Sequence, residues 1–135
     1  MPSYRTKRWE NIETCPHATQ AVYSVGMWLK PNGTGALVPA IAGSVLSGLC
    51  LEAIANTDAE YTTAKYQIHF DGINTDVDRF IMPVTTGSAL ASMVGSPFDL
   101  DTGAMSLTVA APGTQFEITQ VFSTTLVEVK VLLAA

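Results

Sequence analysis

Four side chains in this sequence are soft metal ligands: Cys15, His17, Cys50 and His69. They make a formal Cys2His2 set for zinc. The spacing argues against that use, because Cys15-Pro16-His17 is tighter than the usual ligand pair and the other two stand alone. A small buried Cys50 in a strand and a cross-strand His69 beside Phe70 account for the same residues, so no metal and no cofactor is expected. Asp71, Asn74, Asp76 and Asp78 form an acidic loop with oxygen ligands for Ca²⁺. A calcium loop orders its Asp, Asn and Gly differently and ends on a bidentate Glu, so a solvated hairpin turn is the better reading. Asp99 and Asp101 form a similar pair in a loop. Two carboxylates can cleave a glycosidic bond. Apart from Glu52, however, no Asp or Glu of this chain sits in an apolar stretch that would raise its pKa.

Other catalytic signatures are missing. The chain has no Gly-x-Ser-x-Gly elbow, no His-Glu-x-x-His and no glycine followed by Lys-Ser or Lys-Thr. Gly33-Thr34-Gly35 begins like a dinucleotide loop, but Val38 occupies the third glycine position and the segment lies between strands. Asn32-Gly33-Thr34 has the form of a glycosylation acceptor and reads better as a turn. No catalytic residue is expected, and the chain is read as a non-enzyme.

Composition points the same way. Hydrophobic residues make up 47% of the 135 and charged residues only 14%, the reverse of a disordered chain. A surface so poor in charge suits burial against partners. The net charge of −5 is unevenly placed: Arg5, Lys7 and Arg8 supply three of the seven basic residues. The body is therefore acidic and the N-terminal arm basic. Phosphate contacts need clustered Lys and Arg, so nucleic acid is not the expected partner of the body. The start of the chain lacks the apolar stretch of a secretory signal. The longest uncharged apolar run, Gly35 to Leu51, is interrupted by Pro39, Gly43 and Gly48. It is shorter than a membrane span, so a soluble protein is expected. Two cysteines are too few for a disulfide scaffold.

The elements that must position these groups read as strands. Residues 1–18 form an extended arm carrying Tyr4 and Trp9 among its basic residues; a frayed terminus and a docking arm both fit that composition. Residues 19–135 form a single β domain. Expected strands are Ala21–Leu29, Ala36–Ala42, Val45–Ala55, Lys65–Phe70, Val77–Val84, Met105–Ala110, Gln115–Phe122 and Leu126–Leu133. Asp71-Gly72 predicts a hairpin between the fourth and fifth. Phe80, Met82 and Val84 share one face of the fifth, and Pro83 predicts an edge or a bulge there. Thr86 to Gly95 reads as one short helix or a structured loop. About eight strands make an all-β fold, a small β-barrel or β-sandwich.

Three segments, Gly26 to Gly33, Val38 to Ala40 and Gly48 to Glu52, resemble the opening of small tailed-bacteriophage capsid decoration (cement) proteins. There a strand, a glycine turn, a Pro-Ala step and a glycine-led strand open the barrel. Asp78–Ile81, Met93–Gly95, Phe98-Asp99, Gln115–Ile118 and Val127–Lys130 are similar to heads of the same kind. The resemblance spans residues 20 to 133, and its motifs are turns and strand faces. It implies a virion protein on the outside of the mature capsid, commonly a homotrimer, whose partner is the major capsid protein and whose role is to tie capsid subunits together. The arm matches none of these motifs. Its Tyr4, Arg5, Lys7, Arg8 and Trp9 are expected to reach an adjacent subunit. The alternative is a receptor- or glycan-binding β module of a virion tail or fibre, with Trp28 and Tyr61 as candidate platforms. A hydrolase using the acidic loops is the third reading.

Overall fold

Alternation of apolar and polar residues places one strand face inward, and two strands show it plainly. The computed structural model describes residues 4–7, 12–63 and 67–135. With strands numbered in chain order, β7 (Arg79–Thr86) buries Phe80, Met82 and Val84. Strand β11 (Leu126–Val131) buries Val127, Val129 and Val131. The two pair antiparallel, with Val127 opposite Met82 and Val129 opposite Phe80, so both apolar faces meet one core. Strand β10 (Phe116–Ser123) pairs with β11, and β8 (Pro97–Leu100) pairs with β10 through Phe98 opposite Phe116. Strand β9 (Leu107–Thr108) pairs with β8 and returns to β7 in parallel, with Leu107 opposite Val84. That last pairing closes a barrel of five strands. Closure removes the exposed edges that an open sheet presents. Outside the ring, β1 (Tyr4–Lys7) adds to the first half of β7.

The second sheet has the order β2-β6-β5-β3-β4: β2 (Ile12–Pro16), β6 (Gln67–Gly72), β5 (Gly48–Cys50), β3 (Trp28–Pro31) and β4 (Leu37–Pro39). A parallel bridge between His17 and Leu37 links its two edges. The Tyr23 hydroxyl reinforces that link: it donates to Leu37 O at 2.5 Å and accepts from Ala18 N at 3.0 Å. Strand β5 approaches β6 closely at Gly48, where a Cβ would lie 2.2 Å from Asp71 O. Only glycine permits that spacing.

Three devices lock the sheets together. Trp28 of β3 is fully buried and meets Phe80 and Phe116 of the barrel edge to face, with ring centroids 4.8 and 5.0 Å away. The buried Gln115 side chain accepts from Leu100 N at 2.9 Å and donates to Ile41 O and Ser44 O at 2.9 and 2.8 Å. The C-terminal residues then bind Leu46, which donates to Leu133 O and accepts from Ala135 N.

The all-β barrel expected from the sequence is the observed fold, and each of the eight expected segments contributes a strand, five of them shorter than expected and β6, β7 and β10 of the expected length but shifted by one or two residues. Strands β1, β2 and β8 come in addition, so residues 12–16, read as part of an arm, complete the second sheet. Lys65 and Tyr66 of the fourth expected strand lie outside the described residues. The hairpin at Asp71-Gly72 is not formed: both residues pair inside β6, and β7 belongs to the other sheet. Residues 73–78 are therefore a crossover between sheets. Of the two readings of Thr86–Gly95, the structured loop is observed, with a single 3-10 turn at Ala91–Met93.

Pro83 has a specific place in this design. Val84 N donates to Thr125 O on the β11 side, so by alternation the nitrogen of Pro83 faces the opposite side. There β7 changes partner, from β1 up to Ile81 to β9 from Val84 onward. The missing N–H falls in the gap between two neighbours.

Candidate functional site

The soft ligands do not gather. Cys50 is buried and donates to Glu52 O at 2.9 Å, and burial pushes its thiol up to about 11, which makes it inert. Cys15 lies on the other side of β6, half-buried, with its thiol also raised by burial. His17 is buried against the Tyr23 ring, and its Nδ1 contacts Ala18 O at 2.9 Å. His69 is exposed, and the Glu52 carboxylate accepts from both its backbone N–H and its ring. Among the described residues no group of three His, Cys, Asp or Glu side chains assembles to hold a metal.

The acidic loops serve the backbone. Asp78 is buried and accepts from Asn74 N at 2.8 Å, while Asn74 Oδ1 accepts from Asp76 N at 3.1 Å. The loop thus closes on itself, as Asx turns do. Asp99 accepts from Thr114 N and Gln115 N at 2.8 and 3.1 Å, setting the start of β10. Asp101 accepts from the hydroxyls of Thr86 and Thr85 at 2.5 and 2.7 Å and from Thr102 N at 2.8 Å. These donors, the Thr86 hydroxyl first, hold its carboxyl down at about 2. Asp101 thereby ties the end of β7 to the β8–β9 turn, next to the pairing that closes the barrel.

Among the described residues, two concavities stand out as open to solvent. One, of about 320 Å³, has an acidic rim of Glu52, Asp58 and Glu60 over a floor that includes Ile54 and Ile68. The other, of about 150 Å³, runs between Ala40–Ala42 and Leu100–Gly103. Trp28 is fully buried and so offers no platform for a glycan; Tyr61 packs partly against the core.

What the surface does present is aliphatic and aromatic. Ile41, 61% exposed, lies with Val45 and Leu132 on segments that converge at the Gln115 joint, since Leu132 N donates to Gln115 O. Leu90, 54% exposed, and Val94 belong to a segment that runs along β10, where Ala89 N meets Thr124 O and Gly95 N meets Ile118 O. Phe122 of β10 is exposed on the same stretch. Leu90 and Val94 belong to the segment read as one short helix or a structured loop, and the loop leaves both exposed. Gln115 drew no notice as a residue, although a polar amide leading the apolar β10 was the available signal.

Of the arm residues, Tyr4, Arg5 and Lys7 lie in β1, with backbones opposite Ile81, Phe80 and Arg79. Arg8 and Trp9 lie outside the described residues. No protein-family model matches the chain, and no curated protein matches it.

Proposed function

We propose that this chain is a non-enzymatic adhesion module of a virion, a bacteriophage capsid decoration protein. It binds the outer surface of the mature head as a homotrimer and holds major-capsid subunits together. The observation that carries this reading is the exposure of apolar side chains at two places, Ile41, Val45 and Leu132 on segments that meet at the Gln115 joint and Leu90, Val94 and Phe122 along β10, on a chain of low charge. Separate apolar surfaces suit a protein that touches more than one neighbour, where modest contacts add through avidity. The likeness of its turns and strand faces to cement proteins supplies the capsid as the surface, and the basic arm supplies a third contact.

The test combines light scattering with co-sedimentation. The purified chain forms a trimer in solution and sediments with mature heads. Removing residues 1–11, a cut that leaves β2 whole, weakens head binding at least tenfold while thermal unfolding stays cooperative. A stable monomer that remains in the supernatant with mature heads would overturn the proposal.

A further inference from the structure

The turn between β3 and β4 is closed twice by one residue. The Asn32 backbone N–H donates to Ala36 O at 3.0 Å. Its side-chain Oδ1 accepts from Thr34 N at 2.8 Å and from Ala36 N at 3.1 Å. Asn32 and Gly33 are both exposed, and neither Asn32 Nδ2 nor the Gly33 N–H has a hydrogen-bond partner among the described residues. Gly33 has a φ of +83°, and a Cβ built on it meets nothing within 4 Å, so the space around this peptide link is open. Of the four asparagines, Asn32 is the one followed by glycine. Asn56 and Asn74 precede the branched Thr57 and Thr75, which crowd and stiffen the chain there.

We propose that Asn32 is a self-modification site, at which the Gly33 nitrogen displaces the side-chain amide and an aspartate results. In the first step Gly33 N attacks Asn32 Cγ. The N–Cγ bond forms, the Cγ–Nδ2 bond breaks, and Nδ2 leaves as ammonia with the proton of Gly33 N, giving a five-membered imide. Negative charge develops on Oδ1 as the nitrogen adds, and the N–H groups of Thr34 and Ala36 already point at that oxygen. Two backbone donors placed there act as an oxyanion hole does. Neither reacting nitrogen has to give up a hydrogen bond within the protein first. In the second step water adds to an imide carbonyl. Addition at Cγ, the carbonyl that the same two donors polarise, breaks the N–Cγ bond, returns a proton to Gly33 N and leaves an ordinary aspartate. Its carboxylate keeps both N–H partners as charge-assisted bonds, so the turn survives. Addition at the backbone carbonyl instead gives isoaspartate and lengthens the main chain by one carbon. The product carries one more negative charge on a body that is already acidic. Asp71-Gly72 has the residues for related chemistry, but both pair within β6 and are held extended. The inference does not rest on the adhesion reading.

Mass spectrometry of the full chain tests it, after incubation at pH 8 in water enriched in oxygen-18, folded and in urea side by side. The expected result is an acid at position 32 that carries the heavy oxygen and forms in the folded chain at least as fast as in urea. Aspartate is expected in excess over isoaspartate, while Asn56 and Asn74 remain amides. Asn32→Asp supplies the authentic product for peptide mapping. An amide that persists at position 32 in the folded chain while the urea control converts shows that the turn shields it, and overturns the proposal. A folded product that is mainly isoaspartate overturns it as well, because the N–H pair then does not direct the water.

Discussion

The Gln115 amide reaches three backbone groups on two sides of the molecule, and that makes it the residue whose loss is easiest to read. Replacing it by Leu keeps most of the volume but leaves Leu100 N–H and Ser44 O without this partner, while Ile41 O keeps the Ser44 N–H and hydroxyl. Unpaired buried polar groups cost about 1–3 kcal/mol each, and the Ser44 carbonyl has partial access to water. Gln115→Leu is therefore expected to lower stability by about 3 kcal/mol in urea unfolding; a loss under about 1 kcal/mol would show the joint to be ornamental. Asp101 gives a test in pH. Its folded pKa, about 2, lies below the ordinary carboxyl value of 3.8, so its contribution is complete above about pH 4 and is lost as pH falls through 2. Solvent screens this largely accessible carboxylate, so the contribution is about 1 kcal/mol. Asp101→Asn should remove that amount at pH 7 and only a small part of it at pH 2, where the folded carboxyl is half protonated. An equal loss at both pH values would assign the effect to packing instead of charge.

At the scale of elements, the period-2 faces were legible because side-chain alternation is dictated locally. Phe80, Met82 and Val84 turn inward as their spacing requires, and so do Val127, Val129 and Val131. Partnership is not local, and there the reading fell short. Asp71-Gly72 has the chemistry of a tight turn, yet the backbone continues through it because Gly72 faces Gly48 and Asp71 faces both Ile12 and Leu49. Strand β8 was missed because Pro97-Phe98-Asp99-Leu100 is short and begins with proline. Pro83 was read as a sign of an edge or a bulge, but β7 is paired on both sides and the proline falls where its partner changes from β1 to β9. Pro83→Ala should cost about 0.5–1 kcal/mol, through the greater freedom of the unfolded chain alone. A gain in stability would mean that a new N–H found an acceptor and that β1 and β9 leave no gap.

Taken whole, the molecule is two small sheets joined by Trp28, Gln115 and the C-terminal residues, with an extra strand laid on the finished barrel. The charge asymmetry between arm and body was plain in the composition. The exposed apolar positions were not, because a sequence does not say whether Leu90, Val94 or Ile41 faces in or out; only the loops that carry them decide it. Adhesion to a capsid is the central claim, and position in the particle tests it most directly. Imaging at subunit resolution of the mature virion encoded with this sequence should find the barrel on the outer surface, three copies around a three-fold or quasi-three-fold axis, each touching more than one major-capsid subunit. Finding the chain at a tail or fibre tip, or nowhere on the particle, would contradict the account.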